Sequence, residues 1–327
     1  MRFTLASAGG YPRIGDSKEQ QRLRRAYGQF ERDELSRRGF DGVQNDVIRE
    51  VITEQASAGV ELVTDGLVRW YDPLSHIASH LGGFKVGGLL RFFDTNYLFR
   101  QPIVNGKIRW EKLFLAKEYA FAKSVSPRPV KAVITGPYTL AKFSDNSLGK
   151  YKNVSALAHD CAKALAKEIE QIAKAGAEII QIDEPAMLKY PKEFDVVADG
   201  LNILAASRGK SRLALYTYFG AASPLYDKLQ DLPADVLGLD FTYDAKLADV
   251  IAKNGTSKML GLGLVDGRNT KLETAADLRP TIKKLTKSLN GATCYLNPSC
   301  GLDYLPRDRA KRKLENLATL KKELENG

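Results

Sequence analysis

The sequence predicts an α/β fold, a closed TIM barrel of eight parallel strands that alternate with helices. Three observations support this prediction. Eight short apolar runs recur along the 327 residues, and longer amphipathic stretches separate them. Clusters of polar residues, Gly and Pro follow nearly every apolar run, as expected where strands pass into βα loops. Eight such units indicate a closed barrel rather than an open sheet.

The eight strand candidates are apolar almost throughout, which is typical of parallel strands covered on both faces. They are Phe3–Ser7, Glu61–Thr64, Val130–Thr135, Glu178–Ile182, Leu213–Thr217, Val236–Asp240, Met259–Val265 and Thr293–Asn297.

The helix candidates lie between these strands and carry apolar residues at helical spacing. They are Ser17–Arg38, Val43–Ala58, Ser155–Ala175, Phe194–Ser207, Ala245–Lys253, Thr274–Leu289 and Arg307–Glu325. Gly59, Gly176 and Gly291 follow helical stretches, where a left-handed cap is expected.

One segment interrupts the alternation of strands and helices. Residues Gly82–Trp110 are rich in Gly and aromatic residues and predict an excursion after strand 2, a hairpin over the barrel mouth. No linker or shift in composition marks a second domain. We therefore predict one barrel domain over residues 1–327.

Charge and composition restrict the possible partners. Lys and Arg number 49 against 39 Asp and Glu, a net charge of +10 that would suit a small anionic ligand. Much of this charge is interleaved with acids in helices and no nucleic-acid motif accompanies it, so we expect no nucleic-acid partner. Three scattered cysteines, and the lack of any long apolar run, predict a cytoplasmic protein without membrane contact.

The polar clusters predict a ligand site, because the βα loops of a barrel converge at the carboxyl ends of its strands. These ends carry acids and arginines. The acids are Asp65, Asp183, Glu184, Asp240 and Asp266, and the arginines are Arg13, Arg69 and Arg268. Paired acids suit proton transfer or an ammonium group, and arginines suit a carboxylate. The alternative for each is a structural ion pair or a helix cap.

Histidine and cysteine give weaker signals. His76 and His80 are spaced to share one helical face, but no Glu follows the first His as in zinc proteases, and hydrogen-bonded histidines are the simpler interpretation. Cys300 follows the last strand. A lone Cys is usually a small buried apolar residue, and a metal ligand is the alternative.

Seven stretches together resemble the cobalamin-independent methionine synthase family. They are GYPRIGDSKEQQRLRRAYGQF, RFFDTNYLFRQP, ITGPYTL, QIDEPAM, YTYFG, LGLGLVDGRN and LNPSCGLDYLP, and they span nearly the whole chain. That family's enzyme has two similar barrels. The stretches Phe93–Tyr97, Tyr218–Gly220 and Val265–Asn269 resemble its amino-terminal barrel, which lacks the catalytic zinc site.

The resemblance also allows a comparison with the zinc ligands of the family. In the family's catalytic barrel a His-x-Cys pair follows strand 5, a Glu ends strand 6 and a Cys follows strand 8. The corresponding residues here are Tyr216 to Tyr218, Asp240 and Cys300. Only Cys300 matches, so the resemblance implies an incomplete site and no resident cofactor. Zinc remains an alternative, and folate or another methyl donor is the implied ligand.

The resemblance implies a stand-alone homologue of the amino-terminal barrel, a component of methyl transfer to homocysteine beside a catalytic single-barrel methionine synthase chain. Asp183, Glu184 and Asp240 are then the candidate catalytic acids. The candidate substrate-binding residues are Arg13, Lys18, Asp65, Arg69, Tyr216, Tyr218, Asp266, Arg268 and Asn269. Cys300 is the candidate metal ligand.

Two alternatives stay open at this point. The chain could be an independent enzyme that uses the acids and arginines of the mouth on another small substrate. It could also be a methionine synthase with atypical metal ligands, for instance Cys300 with Asp240 and a histidine. The methyl donor and the oligomeric state are not determined by the sequence.

Overall fold

A computed structural model describes residues 1–289 and 293–326 of the chain. The strands are β1 (Arg2–Leu5), β2 (Leu81–Arg91), β3 (Leu98–Trp110), β4 (Ala132–Thr135), β5 (Ile179–Asp183), β6 (Arg212–Thr217), β7 (Val236–Asp240), β8 (Met259–Val265) and β9 (Thr293–Pro298). The helices are α1 (Arg22–Glu31), α2 (Arg37–Ser57), α3 (Ser75–Ala78), α4 (Leu115–Val125), α5 (Pro137–Lys142), α6 (Val154–Lys174), α7 (Ala186–Lys189), α8 (Phe194–Ala205), α9 (Tyr226–Asp231), α10 (Leu247–Asn254), α11 (Ala275–Leu289) and α12 (Arg307–Glu325). Two short 3₁₀ helices cover Pro191–Glu193 and Ser223–Leu225.

Seven strands form one parallel sheet in the order β1-β9-β8-β7-β6-β5-β4. The segment after α2 closes this sheet into a barrel. Leu62 pairs with Ala6 beside β1, and Val63 pairs with Val130 beside β4, both in parallel. The predicted barrel is therefore confirmed.

The predicted strand Glu61–Thr64 contributes only these isolated bridges. A turn begins directly after it, because the Asp65 carboxylate accepts the Leu67 backbone N–H at 3.0 Å. Gly66 and Leu67 both have positive φ values, of 70° and 54°. This left-handed turn leaves no room for a longer strand.

The barrel interior has an apolar layer below a polar one. The lower layer includes Ala6, Leu62, Ile179, Ala214, Val236 and Tyr295. Above it lie the buried side chains of Lys131, Gln181, Tyr216 and Asn297. Gly238 makes room for the Tyr216 ring, since a Cβ there would lie 2.4 Å from ring carbon Cδ1. The polar layer forms the floor of the mouth.

The predicted excursion is an antiparallel hairpin of β2 and β3. Its tip, residues 92–97, lies over the barrel mouth. The Phe93 ring is 5.5 Å from that of Phe219, and the Tyr97 ring is 5.4 Å from that of Tyr304. Backbone hydrogen bonds tie the hairpin to the loop after α5, from Val104 N to Asp145 O and from Asp145 N to Pro102 O.

One helix prediction is wrong. The stretch Ser17–Arg38 contains the whole of α1 and only the start of α2, and residues 32–36 separate these helices. Asp33 adopts a left-handed conformation with φ of 57°. Ser36 then caps α2 by accepting the Gly39 N–H at 3.2 Å, so α2 begins six residues before the predicted Val43.

The glycine caps agree with prediction where the structure describes them. Gly59 and Gly176 have φ values of 95° and 79°, and Gly291 lies outside the described residues. Within the described residues, none of the helices combines the length and the apolar character that crossing a membrane requires.

Candidate active site at the barrel mouth

The tip of the hairpin leaves two cavities at the barrel mouth. The smaller, of about 210 Å³, is lined by residues that include Tyr11, Arg13, Leu67, Asp72, Tyr97 and Asp303. The larger, of about 340 Å³, is lined by Asp94, Thr95, Asn96, Tyr97, Arg268, Asp303 and Tyr304. Tyr97 and Asp303 are common to both. Small ligands therefore have two places to bind near the carboxyl ends of the strands.

Arg13 and Asp303 give the smaller cavity its charge. The Arg13 guanidinium donates to the Tyr71 carbonyl oxygen at 3.2 Å and lies 6.0 Å from the centre of the Tyr27 ring. Burial raises the pKa of Asp303 to about 6, against the opposing effect of Arg13. The cavity thus combines a permanent cation with an acid that titrates near neutrality.

Asp183 ends β5 and is partly exposed at the mouth. Its Oδ1 accepts from Gln181 Nε2 at 2.6 Å, and its Oδ2 accepts from the Tyr218 hydroxyl at 3.2 Å. Burial raises its pKa to about 7, although these two hydrogen bonds and the charge of Lys131 oppose the rise. A carboxyl group with such a pKa can both donate and accept a proton near neutral pH.

Glu184 is adjacent in sequence but has different surroundings, because its side chain is fully buried. Its carboxylate accepts from Tyr138 N at 2.9 Å, from Thr139 N at 2.7 Å and from Thr139 Oγ1 at 2.6 Å. It thereby caps the amino end of α5. Burial raises its pKa to about 7 against these hydrogen bonds.

Lys131, just before β4, is a member of the polar layer that sequence reasoning missed. Its Nζ donates to the Ser7 carbonyl oxygen at 2.7 Å and lies 4.5 Å from the centre of the Tyr216 ring. Burial lowers its pKa to about 7, against the effect of Asp183. A signal was available, since a lysine within a strand candidate that should be buried on both faces is unusual.

Asp240 and Cys300 are both buried. Asp240 Oδ1 accepts from the backbone N and hydroxyl of Thr242, at 2.8 and 2.6 Å, and burial raises its pKa. Burial, together with the charges of Asp240 and Asp303, also raises the pKa of the Cys300 thiol well above its usual value.

These residues do not fit the zinc site of the family's catalytic barrel. The Tyr216 hydroxyl lies 3.4 Å from Asn297 Oδ1, and the Tyr218 hydroxyl is engaged by Asp183. Within residues 1–289 and 293–326, no three His, Cys, Asp or Glu side chains are grouped to hold a metal ion.

The loop after β8 lies beside the larger cavity. Asp266 accepts from the Arg268 backbone N–H at 2.8 Å and from Asn269 Nδ2 at 2.6 Å. The Arg268 guanidinium donates to the Tyr243 hydroxyl at 2.6 Å. Asp266 and Asn269 therefore order the loop, and Arg268 lies along the cavity wall.

Of the predicted binding residues, only Arg13 and Arg268 line a mouth cavity, and Lys18, Arg69 and Asp65 are among those that do not. Lys18 is exposed before α1, and its carbonyl oxygen accepts from Arg25 NH1 at 2.9 Å. Arg69 donates to Gln44 Oε1 at 3.1 Å and to Asn45. Asp65 lines a separate small cavity, where burial raises its pKa to about 6.

His76 and His80 lie on and just after α3, as their spacing predicts. His76 Nε2 lies 3.0 Å from Glu118 Oε1, and His80 Nδ1 donates to the His76 carbonyl oxygen at 2.8 Å. Their hydrogen bonds agree with the simpler of the two interpretations.

A closed βα barrel with acids, phenols and an arginine at its mouth has the architecture of a barrel enzyme. The family model for the catalytic domain of cobalamin-independent synthase matches residues 5–323. The chain belongs to the cobalamin-independent methionine synthase family. The family resemblance is thus confirmed, and the closer resemblance to the amino-terminal barrel stays a prediction.

Individual relatives agree with this assignment. A methionine synthase of Saccharolobus solfataricus is 33% identical over 312 residues, covering 94% of this chain and 91% of the relative. One of Sulfurisphaera tokodaii is 33% identical and covers 94% and 88%. A solved B12-independent methionine synthase from Shewanella sp. W3-18-1, in complex with selenomethionine, superposes with a TM-score of 0.80 at 21% identity, over 100% and 98% of the two chains. That likeness shows the fold.

Proposed function

We propose that this chain takes part in methyl transfer to homocysteine, the reaction that forms methionine. In this proposal it binds the methyl donor and works with a separate catalytic barrel that binds homocysteine. Family membership supports the reaction class. The observation that carries the division of labour is the hydrogen bond of Tyr218 to Asp183, at the strand end where the family's catalytic barrel holds zinc ligands.

The division of labour between this chain and the catalytic barrel follows from the reactivity of the homocysteine thiol. A thiol is a poor nucleophile until it loses its proton, and a free thiol has a pKa of about 8.5. The groups near Tyr218 would hinder that loss, since the site is buried and the Asp240 carboxylate, which accepts from Phe219 N at 3.4 Å, would oppose a second negative charge. We therefore assign thiol activation to the partner barrel.

The smaller mouth cavity is the proposed donor site. The Arg13 guanidinium would hold an anionic group of the donor, and the faces of Tyr11 and Tyr97 would contact its apolar part. Folate or another methyl donor would satisfy these requirements. Lys18 and the basic residues around α1 lie beyond the cavity and would attract an anionic ligand at longer range.

In the methyl transfer, one bond to the methyl carbon forms and one breaks. A sulfur electron pair of homocysteine forms the new S–C bond while the bond from the methyl carbon to the donor breaks. The electron pair of that bond stays on the donor, which then takes up a proton. Asp303, which lines this cavity and whose pKa is raised by burial to about 6, is the proposed source of this proton.

The test is reconstitution with a catalytic single-barrel methionine synthase chain. We expect methionine formation by the two chains together to exceed that of either alone by about tenfold or more, and Arg13→Gln to remove most of the gain by raising KM for the donor. Arg109→Gln is the control, because Arg109 is exposed on the hairpin and pairs with Glu111. A mixture no faster than the catalytic chain alone would contradict the proposal.

A second candidate is a complete methionine synthase with atypical metal ligands. The match to a catalytic-domain model favours it, as does coverage of 91% of a relative named methionine synthase. Metal content of the purified chain separates the two candidates. About one zinc per chain, lost in Cys300→Ser, would support the second candidate. Cys300 would then be one of the roughly three protein ligands that a catalytic zinc needs.

A further inference from the structure

A groove of about 430 Å³ lies outside the barrel mouth, between α2, α3 and the β2–β3 hairpin. We call it the Arg100 groove. Its walls include Tyr27, Arg37, Arg69, Tyr71, His80 and Arg100. Three guanidinium groups and one carboxylate, that of Glu118, line it, so its lining carries an excess of positive charge.

Arg100 is one of the three arginines that line this groove. Its guanidinium lies 5.0 Å from the centre of the Tyr71 ring. Among the residues that the structure describes, no carboxylate comes within ion-pair distance of it. A guanidinium that packs against an aromatic ring keeps its N–H groups free at its edge. Two of these N–H groups can then donate to the same anion.

The neighbouring side chains that the structure describes form no ion pair with the Arg100 guanidinium, and the Asp72 carboxylate contacts the Arg100 backbone N–H instead. Arg69 donates to the neutral amides of Gln44 and Asn45. Glu118 accepts from the Trp70 indole at 3.2 Å and contacts His76 at 3.0 Å, so it is engaged at the deep end of the groove. Arg37 pairs with Asp41 at 3.0 Å on the exposed side.

The wall between the groove and the mouth is a tightly bonded turn. Asp72 accepts from Leu74 N at 2.9 Å and from Ser75 N at 2.7 Å, and its other oxygen accepts from Arg100 N at 2.9 Å. Asp72 thus faces the smaller mouth cavity, and Ser75 faces the groove. A ligand in the groove is separate from a ligand in the mouth.

We propose that the Arg100 groove binds a small anion bearing a carboxylate or phosphate group, at a site distinct from the barrel mouth. The anion pairs with Arg100 and Arg69, and the aromatic face of Tyr71 keeps the Arg100 guanidinium in position. This inference does not rest on the proposed methyl-transfer function.

Histidine NMR of the whole chain tests the proposal directly, because the sequence has three histidines. His80 and His76 line the groove, whereas His159 lies in a different cavity beside Asp160. Inorganic phosphate and, in parallel, succinate are titrated at constant pH and ionic strength. We expect saturable shifts of the His80 ring signals with at least one anion, and no matching shift of His159.

Variants give a second readout. Arg100→Gln is expected to weaken anion binding at least tenfold, and Arg100→Lys to weaken it less, since lysine keeps the charge but loses the planar fork. Arg109→Gln on the same hairpin serves as the control and should bind as the unaltered chain does. Thermal unfolding confirms that each variant is folded.

Three outcomes would overturn the proposal. One is the absence of saturable shifts with both anions, and another is an equal response of His159, which would indicate general screening by salt. The third is undiminished binding in folded Arg100→Gln. Phosphate-selective binding would indicate a phosphorylated ligand, and succinate-selective binding would indicate a carboxylic acid.

Discussion

Asp183 and Glu184 are neighbours in the chain, yet their carboxyl groups have different partners. Asp183 is bonded to two side chains at the open mouth, and Glu184 is bonded to backbone groups in the interior. The sequence predicts an acid pair but cannot separate the two, because the difference depends on where α5 begins relative to β5. Asp183 is consequently the better candidate for chemistry.

Glu184→Gln tests the structural role of the second carboxyl group. The amide would place an NH₂ group against the N–H donors of α5, and we expect a loss of about 2–3 kcal/mol in the free energy of unfolding. Urea unfolding measures it. Glu170→Gln is the control, since the Glu170 side chain is 40% exposed where it pairs with Lys174. Equal stability of the two variants would refute the capping role.

Asp183→Asn tests the raised pKa. The folded chain holds this proton up to about pH 7, whereas the carboxyl group of an unfolded chain loses it near 3.8. The stabilising contribution of the protonated group is therefore present at low pH and is lost as the pH rises through 7.

Asn does not titrate, so Asp183→Asn should gain stability relative to the unaltered chain between pH 5 and pH 8. We expect a relative gain of at least about 1.4 kcal/mol, the equivalent of one pKa unit. Urea unfolding at both pH values is the measurement. A stability difference that does not change with pH would show that the pKa is ordinary.

At the scale of elements, the β2–β3 hairpin depends on a single glycine conformation. Gly83 has a φ of 94°, and a Cβ there would lie 2.4 Å from the Lys107 carbonyl oxygen. Gly88, on the same strand, has open space around it. The Gly-rich sequence predicts the excursion, but it does not show which glycine is essential, because that depends on the register of the partner strand.

Gly83→Ala is therefore expected to destabilise the hairpin by about 2 kcal/mol or more, through left-handed strain and overlap with the β3 backbone. Gly88→Ala should change stability by less than about 1 kcal/mol. Hydrogen exchange of β2 and β3 amides resolves the effect. Similar exchange rates in the two variants would argue against the described register.

The break between α1 and α2 shows what helical periodicity cannot determine. The run Ser17–Arg38 consists largely of residues with good helix propensity, and the spacing of its apolar residues does not mark an end. The ends are set by Asp33 in a left-handed conformation and by the Ser36 cap. Both are single-residue backbone features, to which propensity summed over a window is insensitive.

At the scale of the whole molecule, the barrel depends on its closing segment. Glu61 Oε2 accepts from Leu5 N at 2.9 Å and from Lys321 Nζ at 2.7 Å, and so joins β1, the closing segment and α12. Although burial raises the pKa of Glu61, the hydrogen bonds of Lys321 and Leu5 lower it on balance.

Glu61→Gln should therefore cost less than about 1 kcal/mol at neutral pH, because the Glu61 side chain is 40% exposed and solvent screens its ion pair. A lowered pKa stabilises the folded chain above pH 4.5, and this stabilisation is lost as the pH falls through the folded value, so the difference should shrink in acid. Glu34→Gln, at an exposed pair with Arg32, is the matched control with an effect near zero. Chemical unfolding that gives equal losses for both would contradict this role.

The strand order and the position of the mouth follow from sequence, because apolar runs and the clusters after them survive any small error in boundaries. The residues of the candidate site can be predicted from the sequence only in part. Asp183 and Tyr218 meet at the mouth and Arg268 lines its larger cavity, because all three lie at or just past strand ends. Asp65 and Arg69 are redirected by the left-handed turn at Gly66 and Leu67. Asp303 is separated from β9 by several residues, so the clusters that directly follow the strands did not identify it as a site residue.

The hairpin tip acts as a partition. Two small molecules held in the two mouth cavities would face each other across Tyr97 and Asp303, and they could exchange an atom only if that wall moved. Phe93 and Phe219, which contact each other beside the wall, both have left-handed backbones, with φ values of 52° and 66°. Each conformation costs about 1–2 kcal/mol. A displacement that let both relax would regain part of that energy, and the aromatic contacts of the tip oppose it together with the backbone hydrogen bond from Phe92 N to Tyr97 O at 2.8 Å.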